Sequence, residues 1–156
     1  MQIKKAMVVA TLAATTMCAA GAAVSGPAVT VTFKNLGAQP ATYTPVTNNE
    51  TSTFVDARPK PKKLVRAGDS DSYQVQNLIS PDANAAVVRY TMDGKTCVFG
   101  TTFVYAIGGG SLITGGLTKI PKWNKTATGT GGADCNAAFT LQNPVTHEWS
   151  VEFTMR

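Results

Sequence analysis

The sequence has little charge, a single histidine and three cysteines, and these low counts limit the classes of protein to which it can belong. Charged residues make up 15% of the chain and hydrophobic residues 44%, a balance that favours a packed core over disorder. A chain of 156 residues has the usual length of a single domain. Because His147 is the only histidine, a metal site built from several histidines is excluded.

Motifs of the common enzyme classes are also missing from the sequence. There is no Gly-x-Ser-x-Gly elbow and no phosphate-binding glycine motif, and Ser111 lacks the spacing of such an elbow. His147 lies beside a turn without a paired nucleophile, which is typical of a solvated turn histidine. Asp69 and Asp71 could offer oxygens to a cation, but the other ligands of a calcium loop are absent. We therefore expect no catalytic residue, no bound metal and no cofactor.

The N-terminus has the order of residues found in a secretory signal peptide. Lys4 and Lys5 precede an apolar run over residues 6–20, and small residues follow that run. No other run approaches the roughly 18 to 20 apolar residues of a membrane-spanning helix. We expect cleavage after Ala22, so that residues 1–22 are the signal and residues 23–156 form one secreted or periplasmic domain.

Export also determines how the cysteines are interpreted. Cys18 leaves with the signal, so Cys97 and Cys135 remain as the only two thiols. An oxidising compartment favours a disulfide between two such residues. The segment between them is long, and closing it would stabilise the fold by about 3 to 5 kcal/mol.

After the signal, apolar and polar residues alternate with the period of β-strands, and turn residues separate the runs. The clearest half-buried strand ends the chain at residues 149–155. Residues 41–46 are predicted to form a weak edge strand, and the glycine-rich residues 126–134 a mobile loop. About eight strands and no helix favour an all-β fold, namely an antiparallel β-sandwich, with a small β-barrel as the alternative.

The strongest local signal is the pair Asp93-Gly94, which suits the positive backbone angles of a two-residue hairpin turn. A turn at this position pairs Tyr90 with Cys97 on one face of the hairpin, and pairs Val88 with Phe99 on the same face. The second strand then continues through Phe103 as a long strand that carries much of the core.

A basic, proline-rich segment is the most specific feature of the chain. Its five cations are Arg58, Lys60, Lys62, Lys63 and Arg66. Pro59 and Pro61 keep its first part extended and reduce the entropy lost on binding. Such a segment attracts phosphates, sulfates or an acidic protein surface. Nucleic acid is not expected, because no stacking aromatics interleave with the cations.

Trp123 is a second candidate for binding. It lies between Lys122 and Lys125 in a stretch predicted to be a loop. An aromatic ring flanked by cations suits a lipid–water boundary or a sugar-stacking surface, and insertion into the core is the alternative.

In the order of its elements, the chain resembles small secreted β-sandwiches such as the aegerolysins, with an early strand, a turn before a polar strand and a central hairpin. The resemblance implies a fold and no site residue. We expect an exported, non-catalytic module that binds an anionic envelope polymer, lipid headgroups or an acidic protein through residues 58–66, with possible peripheral contact with a membrane. The alternatives are a structural subunit that assembles through strand edges and a small hydrolase that uses His147.

Overall fold

The computed structural model describes residues 25–78, 80–108 and 118–156. The predicted signal peptide over residues 1–22 and Ser111 lie outside these ranges. The described elements follow one another as β1 (Val29–Asn35), β2 (Ala41–Tyr43), α1 (Asn48–Asp56), β3 (Ala57–Arg58), β4 (Leu64–Val65), β5 (Ser70–Val75), β6 (Ala83–Met92), β7 (Lys95–Gly108), β8 (Thr118–Thr130), β9 (Cys135–Gln142) and β10 (Trp149–Met155).

The strands form two five-stranded sheets. Sheet A has the order β3-β5-β1-β10-β9, and sheet B has the order β4-β2-β6-β7-β8. Neighbouring strands are antiparallel except for β1 and β10, which run parallel with Val29 opposite Trp149 and Asn35 opposite Met155. The predicted all-β sandwich is therefore confirmed, with one parallel pair at the centre of sheet A.

Aromatic pairs hold the two sheets together. The rings of Phe33 on β1 and Tyr90 on β6 are stacked with centroids 3.5 Å apart, and Phe99 on β7 stacks on Phe153 of β10 at 4.8 Å. All four residues are fully buried. Burying rings of this size supplies a large share of the hydrophobic stabilisation, and stacking adds to it.

The hairpin prediction is confirmed in both turn and register. Asp93 and Gly94 have φ angles of 48° and 74°, which is the left-handed region that the turn requires. Tyr90 lies opposite Cys97 and Val88 lies opposite Phe99, so the predicted facing pairs occur as expected. Strand β7 then continues to Gly108 as the long strand that the sequence indicates.

The predicted disulfide is also present. Cys97 on β7 and Cys135 on β9 are bonded, with their Cα atoms 5.8 Å apart. Since β7 belongs to sheet B and β9 to sheet A, the bond joins the two layers. A disulfide of this kind is consistent with a protein that resides in an oxidising compartment.

The expectation that the mature chain lacks a helix was wrong, because α1 is present. Its N-terminus is a capping box in which the Thr47 hydroxyl accepts from the Glu50 N–H and the Glu50 carboxylate accepts from the Thr47 N–H. The buried residues of α1 are Glu50 and Thr53, both polar. The helix therefore has no apolar periodicity, although the Thr-x-x-Glu signature at its start was readable.

Two predictions about strands need correction. Only residues 41–43 of the segment 41–46 are a strand, and this strand is paired with β4 on one side and β6 on the other, so it is not an edge. Much of the predicted loop at 126–134 belongs to β8, which pairs with β7 up to Thr130. Strand β8 is the mostly exposed edge of sheet B and thus lacks a clear buried alternation.

Candidate functional site

The basic segment, residues 58–66, runs from the outer edge of sheet A at β3 to the outer edge of sheet B at β4. Its five cations are exposed, whereas Pro61 and Val65 are buried. The Lys62 N–H donates to the Asp71 carboxylate at 2.7 Å, and the Lys63 carbonyl accepts from the Tyr43 N–H at 3.0 Å. The backbone of the segment is therefore held in place while its charges face solvent.

Most of these charges have no carboxylate partner. Of the five cations, only Lys62 comes within ion-pair distance of an acid in the described part of the chain, at 3.9 Å from Asp71. Arg58 instead donates to the carbonyls of Val55 and Ala57, each at 2.7 Å. The Arg58 guanidinium thus lies near the C-terminal end of α1, where the helix dipole favours positive charge.

Lys60 is the cation most closely engaged with α1. Its ammonium donates to the carbonyls of Phe54 and Val55, at 2.7 Å and 2.6 Å, and lies 5.2 Å from the centroid of the Phe54 ring. Partial desolvation and the charge of Arg58 lower the pKa of Lys60, and Asp56 opposes this shift. An ammonium has three N–H donors, so one remains available after these two contacts.

Beside the segment lies a cavity of about 350 Å³, which we call the Tyr43–Phe54 pocket. Its lining is mostly apolar and comprises Tyr43, Thr44, Pro45, Phe54, Lys60, Pro61 and Lys63. The rings of Tyr43 and Phe54 are stacked with centroids 6.0 Å apart. Strand β2, helix α1 and the basic segment therefore meet at one concave surface that carries two lysines.

A second cavity of about 330 Å³ lies against the later part of the segment. It is lined by Lys62, Leu64, Val65, Arg66, Asp69 and Ser70. Lys60 and Lys63 thus contribute to one cavity, and Lys62 and Arg66 contribute to the other. Four of the five cations of the segment are therefore divided between two concave surfaces, and Arg58 lines neither.

Trp123 lies elsewhere in the fold, in a strand where a loop was predicted. It is part of β8, at the edge of sheet B opposite to β4, so the structure does not bring it together with the basic segment. Its ring packs against Phe103 with centroids 5.5 Å apart, and its indole N–H donates to the His147 carbonyl at 3.3 Å. Trp123 is half-buried at the margin of the core.

His147 lies beside the turn at residues 144–146, as expected, with φ of 61°, but the expectation that it is solvated was wrong. It is partly buried, and a hydrogen bond of 2.9 Å joins its Nδ1 to the Tyr105 hydroxyl. Its ring also lies 5.4 Å from the centroid of Phe103. Over the described ranges, no carboxylate is hydrogen-bonded to this imidazole. The contacts of His147 are therefore those of an aromatic cluster.

Sequence reasoning found the basic segment and missed the pocket beside it. Tyr43 and Phe54 precede the segment, and α1, which carries Phe54, was not predicted. The capping signature at Thr47 was the one signal that could have placed Phe54 on a helix. The packing of that helix against β6 could not be read from the sequence.

Comparisons with known proteins identify no relative: no protein-family model, no curated protein and no solved structure matches the chain. Within the residues that the structure describes, no cluster of three or more His, Cys, Asp or Glu side chains is arranged to hold a metal ion. In the same residues, no helix has the length and apolar character needed to cross a membrane.

Proposed function

We propose that the protein is an exported binding module that docks on an anionic partner through the basic segment. The observation that carries this proposal is a set of five exposed cations, four of them without a carboxylate within ion-pair distance in the described chain, on a backbone held by buried contacts. A preorganised segment loses little conformational entropy when it binds. The disulfide between the sheets supports a location in the periplasm or outside the cell.

The proposed partners share a dense negative charge. An anionic envelope polymer, the headgroups of a lipid surface and an acidic protein would each attract the segment electrostatically. Binding of this kind weakens as salt screens the charges, because the Debye length falls to about 8 Å at physiological ionic strength. Trp123 is not part of the proposed docking surface, since it lies at the opposite edge of sheet B.

The test is a charge-matched pair of variants. One carries serine at Lys60, Lys62, Lys63 and Arg66. The control carries serine at Lys119, Lys122, Lys125 and Arg156, all exposed, so that the net charge changes equally. Binding is measured against dextran sulfate, polyglutamate and phosphatidylglycerol vesicles over a range of salt concentrations.

We expect the first variant to bind at least one of these probes roughly tenfold more weakly, with a flatter salt dependence, and the control to bind like the wild type. Equal losses in both variants would mean that only net charge matters, which contradicts docking through this segment. Absence of wild-type binding to all three probes would also contradict the proposal.

A further inference from the structure

The Tyr43–Phe54 pocket combines an apolar lining with positive charge that is not neutralised by a carboxylate. Two of its walls are the aromatic rings of Tyr43 and Phe54, and two are the proline rings of Pro45 and Pro61. Its volume of about 350 Å³ lies at the lower end of the range found for small-molecule sites. Rigid rings of this kind bind a flat apolar group with little loss of side-chain entropy.

The charge at the pocket comes from Lys60 and Lys63. The Lys60 ammonium keeps one N–H donor beyond its contacts with the carbonyls of Phe54 and Val55. The Lys63 side chain makes no hydrogen bond or ion pair within the ranges described. Asp56 is the acid that acts electrostatically on Lys60, and it is not among the residues that line the pocket. Two ammonium groups at one apolar pocket complement a carboxylate, whose two oxygens share one negative charge and both accept hydrogen bonds.

We infer that the Tyr43–Phe54 pocket binds a small aromatic carboxylate, whose ring lies against Phe54 and the proline rings and whose carboxylate contacts Lys60 and Lys63. An uncharged aromatic compound would leave both ammonium groups without an anionic partner. A small anion without a ring would leave the apolar walls uncovered. This site shares two cations with the proposed docking segment but does not depend on docking to a polymer or a surface.

The probe for the test is 2-naphthoate, which is titrated into the ¹⁵N-labelled protein purified after expression of its full sequence. We expect saturable shifts of the amide resonances of Thr44 and Lys63, which line the pocket. The neutral compound 2-naphthylmethanol should bind roughly fivefold more weakly or worse, and acetate should cause no saturable shift at these amides.

Two variants separate the contributions of ring and charge. Phe54→Ala should weaken naphthoate binding by roughly fivefold or more, because it removes an aromatic wall. Lys60→Gln combined with Lys63→Gln should weaken it by a similar factor and flatten its salt dependence. The lysine variant changes exposed residues only, so the test remains decisive if Phe54→Ala does not fold.

The chain offers a matched control, since the Lys125 ammonium lies 5.6 Å from the centroid of the Phe139 ring. Phe139→Ala and Lys125→Gln should leave naphthoate binding unchanged. The inference is overturned if millimolar naphthoate causes no saturable shift at Thr44 and Lys63. Equal affinity for the acid and the neutral alcohol, or equal losses in the control variants, would overturn it as well.

The same variants distinguish this inference from the proposed function. Phe54→Ala removes no charge, so its binding to dextran sulfate should match that of the wild type. If the wild type binds naphthoate but shows no polyanion binding that depends on the cations of the segment, docking alone is rejected. Intact polyanion binding without any naphthoate binding would reject the pocket alone.

Discussion

Three tyrosines are almost completely buried, and their hydroxyl groups differ in whether they have a hydrogen-bond partner. The hydroxyls of Tyr73 and Tyr90 lie 3.4 Å apart and can form a hydrogen bond. The hydroxyl of Tyr43 is buried and has no hydrogen-bond partner among the described residues. Burial, together with the charge of Glu50, raises the pKa of Tyr43 to about 12. Burial is also the main cause that raises the pKa of Tyr73 and of Tyr90.

The Tyr43→Phe variant should therefore be more stable than the wild type at pH 7. A buried hydroxyl without a partner costs roughly 1 to 3 kcal/mol, and the substitution removes it while keeping the ring. Urea unfolding measures the change. Tyr73→Phe is the control, and we expect it to lower the free energy of unfolding because the Tyr90 hydroxyl loses its partner. A clear loss of stability in Tyr43→Phe would contradict an unpaired hydroxyl.

Tyr43 also affects how the stability of the protein depends on pH in the alkaline range. The pKa of Tyr43 in the folded protein is about 12 and lies above the ordinary value of 10.0. Below pH 10.0 the ionisation of this group therefore leaves the stability of the wild type unchanged, and as the pH rises towards 12 the stability falls, because the hydroxyl ionises first in the unfolded chain. Tyr43→Phe should lose less stability than the wild type over this interval.

At the scale of elements, a buried carboxylate helps to attach helix α1 to sheet B. Glu50 accepts hydrogen bonds from the N–H groups of Val46 and Thr47, at 2.6 Å and 3.1 Å, and pairs with Arg89 of β6 at 2.9 Å. Burial acts to raise the pKa of Glu50. The contacts with Arg89, Val46 and Thr47 together outweigh burial and lower it. Because α1 carries Phe54, this carboxylate also supports one wall of the Tyr43–Phe54 pocket.

Glu50→Gln should lower the free energy of unfolding by about 2 kcal/mol or more, because Arg89 loses a partner at a mostly buried position. The folded pKa of Glu50 lies below that of the unfolded chain. Its contribution is therefore present above about pH 4.5 and is lost as the pH falls further. Urea unfolding between pH 3 and pH 7 should show a smaller pH dependence in the variant. The control is Glu152→Gln, which breaks a partly exposed pair with Lys34 and should cost less than about 1 kcal/mol.

The elements that could be predicted from sequence are those with one buried face. Strand β10 and the hairpin at Asp93-Gly94 alternate strictly, because every second side chain packs in the core. Helix α1 escaped prediction because its buried residues are polar, and β8 because an edge strand is mostly exposed. The Tyr43–Phe54 pocket could not be predicted, since tertiary packing alone brings its three contributing segments together.

At the scale of the whole molecule, the disulfide is the one covalent cross-link between side chains of the two sheets in the described structure. Cys97 and Cys135 are 38 residues apart, and closing a loop of this size stabilises the fold by about 4 kcal/mol in the chain-entropy account.

The double variant with alanine at Cys97 and Cys135 should lose up to about 4 kcal/mol of unfolding free energy. The wild type in excess reductant should lose a similar amount of unfolding free energy. Agreement between the two measurements would show that the loss comes from the missing bond and not from the alanine side chains. Urea unfolding followed by tryptophan fluorescence is suitable, since Trp149 is buried in the core. A change below about 1 kcal/mol in both experiments would contradict a stabilising role for the disulfide.

The parallel pairing of β1 with β10 places the earliest and the latest described strands side by side at the centre of sheet A. As the chain emerges during synthesis or export, β1 lacks this neighbour until residues 149–155 are available. Sheet B has no such requirement, because its five strands all precede β9. One layer of the sandwich can therefore assemble before β10 is available, whereas the other layer closes only when β10 joins it.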